Sequence, residues 1–453
     1  MRLRTVTGAV VVLAATLGAM PTTARGQAKL ETISPQDPRR TPVVEVFHRW
    51  KQSVVYLTGP IAGNQGPAIE EFFKVPSNRE RISIGSGFVV HESGYIVTNA
   101  HAVERVITHH ATLIDGRTYP AELIGLAREY DLALLKVEAG RPLQPVQLGK
   151  SNDFILGETI IVISNPGGLM HTCTTGIISA SDRETQPGGL PGITLRGLIQ
   201  TDASINPGSS GGPWFNVLGE VIGVTTAMKP GSQNIGFGIP VSAVRHTLPE
   251  MLDVERQYSI YCGLKMQEQP QEPCAVAIVA PDSPASVAGI HNGDIVKRVN
   301  GRTIIGRCEF VLALVGHKAG DVLQLDLLRD DRPLAVSLTL MGRTKPDGAL
   351  ILRQRYGLTA VPLNAAKVFE TSLRVNRGVI ITGVISGPPY NKLQNPPMPG
   401  DVLARINNIR PRDLDHVGML LDRVKPGEAV HFVLLRMKDN VATRVDMTLT
   451  LAR

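Results

Sequence analysis

From Ser53 onward the chain carries short apolar runs, four to six residues long. They read Ser53–Leu57, Gly87–Val90, Tyr95–Thr98, Ala133–Val137, Thr159–Ile163 and Glu220–Val224. Most are β-branched, and Gly, Pro, Asn or Asp separate them. That pattern predicts short strands in a barrel or sandwich, not helices. The block closes near Val241–Glu255, where Ala243–Pro249 predicts a short helix. A second pattern fills roughly the last 200 residues, as a weak internal repeat of the kind that marks duplicated units. One copy runs Tyr261-Cys262-Gly263-Leu264, Ala275–Val279, Gly293-Asp294-Ile295-Val296 and Val322–Arg329. The other runs Tyr356-Gly357-Leu358, Gly378–Val384, Gly400-Asp401-Val402-Leu403 and Ala429–Arg436. Their Gly-Asp pairs stand 107 residues apart, which leaves room for a small independent domain in each copy. Arg343–Gly348 reads as a polar connector between them.

Composition supports many turns and few large core residues. The 453 residues include 45 glycines and 32 prolines but only 4% aromatics. The usual Gly-plus-Pro share is about 12%. A 43% hydrophobic and 19% charged balance excludes wholesale disorder. No internal apolar run reaches the ~18 residues of a spanning helix, which excludes a polytopic membrane protein. The net charge is +7, and setting aside Arg2, Arg4 and Arg25 of the first 28 residues leaves +4. The remaining basic residues are scattered, so no nucleic-acid-binding face is expected.

Residues 1–28 read as a secretory signal peptide: a basic start, the apolar stretch Val6–Met20, then small residues. An uncleaved anchor is the alternative, and both place the rest outside the cytoplasm. No membrane span remains after cleavage. Residues 29–44 are a polar, Pro-rich linker. The four cysteines (Cys173, Cys262, Cys274, Cys308) lack metal-type spacing and read as structural thiols, with one disulfide of unreadable connectivity as the alternative. The expected units are 45–255, 256–342 and 352–453.

The chemistry concentrates in Thr201–Pro213, whose centre is Gly208-Ser209-Ser210-Gly211-Gly212. Glycines let backbone approach a substrate and turn several amide N–H groups toward one point, as an oxyanion hole requires. A serine nucleophile needs a general base, and the base needs an orienting acid. His101 follows the strand Tyr95–Val97 within Thr98-Asn99-Ala100-His101, and a strand end fixes a side chain well. Asp131 opens Asp131–Val137 at the lip of an apolar strand. Asp153 and Asp202 are weaker acids. His109 and His110 lie in a polar stretch and read as solvated. The order His101, Asp131, Ser210 is that of chymotrypsin-type proteases.

With these residues in view, the chain resembles the HtrA (DegP-like) family of secreted serine proteases. The matching motifs are Gly85-Ser86-Gly87-Phe88, Thr98–His101, Asp131–Lys136, Asn165-Pro166-Gly167-Gly168, Thr201–Pro213 and Gly236–Pro240. Each repeat copy resembles a PDZ domain, so the resemblance covers about residues 45–453. It implies a mainly β fold: a chymotrypsin-like double β-barrel followed by two PDZ domains, with no metal or ATP. It implies Ser210 as nucleophile, His101 as base and acid, and Asp131 as orienting group. The N–H groups of Gly208 and Ser210, with Ser209 beside them, would form the oxyanion hole. Ser204 stands where trypsin-like enzymes carry a pocket acid, and Ile205 lines the pocket. A small or medium aliphatic residue is therefore expected before the scissile bond. Phe72-Phe73 is expected to touch a neighbouring subunit, and Asp182–Arg196 resembles an activation-sensing loop.

In the first PDZ-like unit, Gly263 and Leu264 would bind a peptide carboxylate; Gly357 and Leu358 are their counterparts in the second. A purely structural second unit is the alternative there, because Gly387–Pro399 departs from the family's compact pattern. The implied partners are unfolded proteins and peptide C-termini, and the implied assembly is a homo-oligomer, a trimer or a multiple of one. The implied function is ATP-independent degradation of misfolded proteins in the periplasm or secretory space. A catalytically silent chaperone or peptide-binding scaffold is the competing function.

Overall fold

The computed structural model describes residues 34–60 and 82–450, apart from 105, 107, 151–152, 187–191, 229–232, 268–272, 364–377, 386–389, 391–392, 394, 408, 423 and 439–440. The signal segment and Phe72-Phe73 lie outside the described residues. So do parts of the sensing loop and of Gly387–Pro399.

Six strands form the first barrel: β1 (Val54–Pro60), β2 (Ile82–His91), β3 (Tyr95–Thr98), β4 (His109–Thr112), β5 (Thr118–Ala127) and β6 (Leu132–Val137). They close in the order β1-β2-β3-β6-β5-β4. Seven more form the next sheet: β7 (Gln147–Leu148), β8 (Thr159–Ser164), β9 (Thr172–Thr185), β10 (Leu195–Thr201), β11 (Pro213–Phe215), β12 (Glu220–Met228) and β13 (Gly236–Pro240). The β11–β12 pairing brings the ends of this sheet together into a second ring.

The strands read as continuous apolar runs because both of their faces are buried. Side chains alternate between faces along a strand. On β6, Ala133, Leu135 and Val137 fill the first barrel, while Leu132 and Leu134 face a layer between the barrels. On β8, Ile160 and Val162 fill the second barrel beside Trp214, and Ile161 and Ile163 enter the same shared layer. The two barrels are thus locked face to face, and the loops at their junction are held from both sides.

Two helices depart from the sequence reading. Pro42–Trp50 is a helix that begins inside the expected linker, with Val46 and Trp50 buried and Trp50 stacked on Phe215 at 6.1 Å. Pro42 suits a first helical position, where no N–H is needed. Gly348–Tyr356 is a helix between the two repeat copies, capped by the Asp347 side chain, which accepts from Leu350 N. The helix Val241–Leu252 follows β13 as expected. His109 was expected in solvent. It lies instead in β4, half-buried, donating through Nε2 to the Val103 carbonyl at 2.9 Å. Burial holds its pKa down at about 4.

The repeat copies share a buried ion pair. Asp294 accepts from Arg329 Nε and Nη2 at 2.7 Å each; Asp401 accepts from Arg436 Nε and Nη2 at 2.8 Å each. Each aspartate is only 1% exposed. The Gly-Asp motif of the repeat is therefore an anchor joining a turn to a distant strand. Arg245 of helix Val241–Leu252 pairs with Glu309 at 2.6 Å, tying the protease block to the first repeat copy. Among the described residues no helix is long and apolar enough to cross a membrane.

Candidate active site

Strand β3 ends at Thr98, and the chain turns into a short helix, Ala100–Val103. That turn is fastened to Asp131: Ala100 N and Asn99 Nδ2 both donate to the Asp131 carbonyl, at 3.1 and 3.0 Å. Asp131 itself adopts a left-handed conformation with φ 54°, which strains most side chains and is better tolerated by Asp. The strain aims its carboxylate back at His101. Oδ1 accepts the His101 backbone N–H at 2.9 Å and Oδ2 accepts His101 Nδ1–H at 2.7 Å. The carboxylate is completely buried. Burial pulls the His101 imidazole down, but the charge and hydrogen bond of Asp131 outweigh it, and its pKa stands above the ordinary value.

A third donor reaches the same carboxylate. Thr226 Oγ1, on β12 of the second barrel, donates to Asp131 Oδ2 at 2.6 Å. Sequence reasoning missed it, because Thr226 sits in an apolar strand and looks like any β-forming residue.

Ser210 lies in the loop between β10 and β11. The Ser86 N–H of β2 donates to the Ser210 carbonyl at 2.8 Å, and Gly211 N–H donates to the Thr225 carbonyl at 2.9 Å. Gly211 has φ +83°, and a Cβ there would stand 2.1 Å from the Ser86 carbonyl, so only glycine fits. Gly85 stands between the two halves of the site: a Cβ on it would meet Ala102 Cβ at 3.4 Å and the Ser210 carbonyl at 3.6 Å. Among the described residues no hydrogen bond joins Ser210 Oγ to His101 Nε2. Such bonds are often long in free enzymes and tighten around substrate.

Gly208, Ser209 and Ser210 divide. Gly208 N–H and Ser210 N–H donate to no protein group among the described residues. Ser209 N–H donates to the Asn206 carbonyl at 2.9 Å, so it turns into the loop and is removed from the expected oxyanion set. Ser209 Oγ is likewise engaged, accepting from Ser164 Oγ at 3.1 Å. Ile205 is partly buried against the second-barrel core and abuts Gly236, where a Cβ would lie 2.7 Å from Ile205 Cγ1. Ser204 is exposed, and its carbonyl accepts from Thr174 Oγ1 at 3.2 Å. Asp202 Oδ1 accepts from Ile177 N at 2.7 Å, and among the described residues no hydrogen bond joins it to His101.

In the first repeat copy Gly263 has φ +78° and its carbonyl accepts from Ala280 N at 2.9 Å. Leu264 opens a strand (Leu264–Met266) paired only with Val276–Val279 among the described residues. Beside this loop, Cys262 N–H donates to Glu255 Oε1 at 3.0 Å. In the second copy Leu358 likewise opens an edge strand, Leu358–Pro362. Its neighbour behaves differently from the expectation. Gly357 N–H donates to the Arg353 carbonyl at 3.1 Å and closes the helix Gly348–Tyr356, so that amide is not offered to a ligand. No cluster of His, Cys, Asp and Glu among the described residues has the makings of a metal site.

Residues 85–224 match the trypsin-like peptidase domain, and residues 260–340 match the PDZ domain. A DegP-like periplasmic serine endoprotease of Marinomonas sp. (strain MWYL1) is 31% identical over 423 residues, spanning 85% of this chain and 87% of its own. A DegP-like periplasmic serine endoprotease of Chlamydia pneumoniae is 30% identical over 442 residues, 88% of each chain. The chloroplastic Protease Do-like 1 of Arabidopsis thaliana is 33% identical over 325 residues, 67% of this chain and 72% of its own.

Proposed function

The chain belongs to the DegP-like (HtrA) serine endoproteases, and from that premise we propose that Ser210, His101 and Asp131 cleave peptide bonds through an acyl-enzyme. Ser210 Oγ attacks the scissile carbonyl while His101 Nε2 takes its proton. Asp131 keeps the other proton on Nδ1 and stabilises the imidazolium. The carbonyl oxygen, now negative, is received by Gly208 N–H and Ser210 N–H. His101 returns the proton to the leaving amine, and water then repeats the sequence on the ester. Proton and bond changes balance with water alone, so the reaction calls for neither nucleotide nor metal.

The observation that carries this reading is the fully buried Asp131 carboxylate, which receives both His101 N–H and His101 Nδ1–H. A buried carboxylate is costly unless fully hydrogen-bonded, and this one is spent on orienting a single imidazole. The test is digestion of unfolded casein by the wild type beside Ser210→Ala. The variant is expected to be inert. Equal digestion by both eliminates the triad, and no digestion by either, even with C-terminal peptides present, favours the silent scaffold.

The substrates we assign are misfolded extracytoplasmic proteins, cleaved after small or medium aliphatic residues where Ile205 and Gly236 narrow the pocket. The protease unit is assigned to 45–255, and the PDZ units to 256–342 and 352–453. The first PDZ unit would capture peptide C-termini at Gly263 and Leu264 and regulate the protease. The second is assigned to assembly, since its Gly357 amide is already used. The assembly is read as a trimer or its multiple; a monomeric sedimentation profile at micromolar concentration contradicts that.

A further inference from the structure

We propose that Ser86, on the first barrel, is a positioning residue that fixes the 208–209 peptide of the oxyanion loop, the plane lying between the Gly208 N–H and Ser210 N–H donors; this rests on the triad reading above. In a trans peptide the C=O of one residue and the N–H of the next point in opposite directions. Whatever grips the carbonyl therefore aims the amide. The Pro207 carbonyl accepts Gly167 N–H at 2.9 Å, which turns Gly208 N–H away from the Asn165–Gly168 turn. The Gly208 carbonyl accepts Ser86 Oγ–H at 2.8 Å, which turns Ser209 N–H toward Asn206. Two successive peptide planes are clamped from behind. Gly208 sits so close to this clamp that a Cβ on it would lie 2.7 Å from the Asn165 carbonyl.

The Ser86 hydroxyl is forced into its role. Its oxygen accepts from Asn165 N at 2.9 Å and Asn165 Nδ2 at 3.1 Å, which uses both lone pairs. The one remaining direction for its proton is the Gly208 carbonyl. Asn165 is fixed in turn: Nδ2 also donates to the Val55 carbonyl, and Oδ1 accepts His171 N–H, both at 2.9 Å. Ser86 and Asn165 are both completely buried. A rotated 207–208 peptide would break the Gly167 bond and place a carbonyl where the oxyanion must sit.

Losing an oxyanion donor outright costs ~10²–10³ in kcat. Ser86→Ala keeps both donors but frees the peptide plane between them, so we expect kcat to fall roughly 10- to 100-fold with KM nearly unchanged. The full-length protein is assayed on a chromogenic peptide, and inhibition by a peptide boronate, whose tetrahedral adduct presents an oxyanion, is measured beside it. Boronate affinity is expected to fall in step with kcat/KM, while the acid limb of the pH profile, set by His101, stays in place. Ser86→Cys, close in size and a weaker donor, is expected to fall between the two, and it replaces Ser86→Ala if that variant does not fold. Wild-type kcat in a folded variant overturns the proposal, as does a lower melting temperature with undiminished boronate affinity, or a moved acid limb. Failure of the triad itself reads differently, because Ser210→Ala would then retain activity.

Discussion

Thr226→Val removes the hydroxyl that crosses from the second barrel to Asp131 while keeping the shape of the side chain. A hydrogen bond to a charged group contributes ~1.5–3 kcal/mol. Asp131 then keeps two donors, both from His101, and its negative charge is shared among fewer partners. The His101 pKa already lies above the ordinary value, because Asp131 outweighs the effect of burial. Concentrating the carboxylate on the imidazole raises it further. If half of the lost bond is redirected to the imidazolium, the protonated form gains ~0.75–1.5 kcal/mol, a factor of roughly 3–10 in its favour. More of the base is then protonated near neutrality. The expected result is that kcat/KM on the acid limb of the profile falls roughly 3- to 10-fold and recovers at higher pH, where the imidazole is neutral in both proteins. A profile of kcat/KM on a chromogenic peptide from about pH 5 to 9, with melting temperatures alongside, measures it. A loss equal at every pH, or an acid limb that moves down, refutes the reasoning and leaves Thr226 as packing only.

Three other outcomes follow from the same geometry. Burial holds His91 and His416 at about 4, so between their ordinary value near 6.5 and about 4 the unfolded chain binds more protons and stability falls as pH falls; His91→Gln and His416→Gln are expected to flatten the acid loss of melting temperature, and unchanged slopes contradict this. Arg329→Ala strands the buried Asp294 carboxylate and is expected to cost about 3 kcal/mol in urea unfolding, the low end for a broken buried pair because Arg329 is partly exposed. Arg436→Ala is expected to do the same through Asp401. Ile205→Ala enlarges the space beside Gly236, and the ratio of kcat/KM for leucine over alanine before the scissile bond is expected to rise about 10-fold or more; an unchanged ratio removes Ile205 from the pocket.

Much of this was legible in the residues, for physical reasons that differ from place to place. Strands β3, β6 and β8 were readable because burial on both faces demands unbroken apolar runs. His101 was readable because it follows a strand end, and Asp131 because it is a lone charge beside an apolar strand. The repeat was readable through Gly293-Asp294 and Gly400-Asp401, but its meaning needed Arg329 and Arg436, which lie far along the chain. Thr226 carried no signal at all, and Ser86 and Asn165 stood inside matching motifs without their roles being readable. Their work is done by hydroxyl and amide groups pointed across the barrel junction, and no local pattern marks a direction. Ser209 and Gly357 failed as amide donors for the opposite reason: a nearby carbonyl within their own segment took the N–H first. His109 misled because a polar sequence, His-His-Ala-Thr, was carried into a barrel by its strand pairing.

The bonds that join the barrels, Ser86 to Gly208 and Thr226 to Asp131, also impose an order in time. A polypeptide made from its N-terminus delivers His101 and Asp131 first, and domains fold in that order. Ser210 arrives later, on a barrel that still has to close against the first. Until it does, neither bond across the junction exists. The chemistry proposed for Ser210 thus waits on the closure of one barrel against the other, and a variant that loosens this junction is expected to lose it.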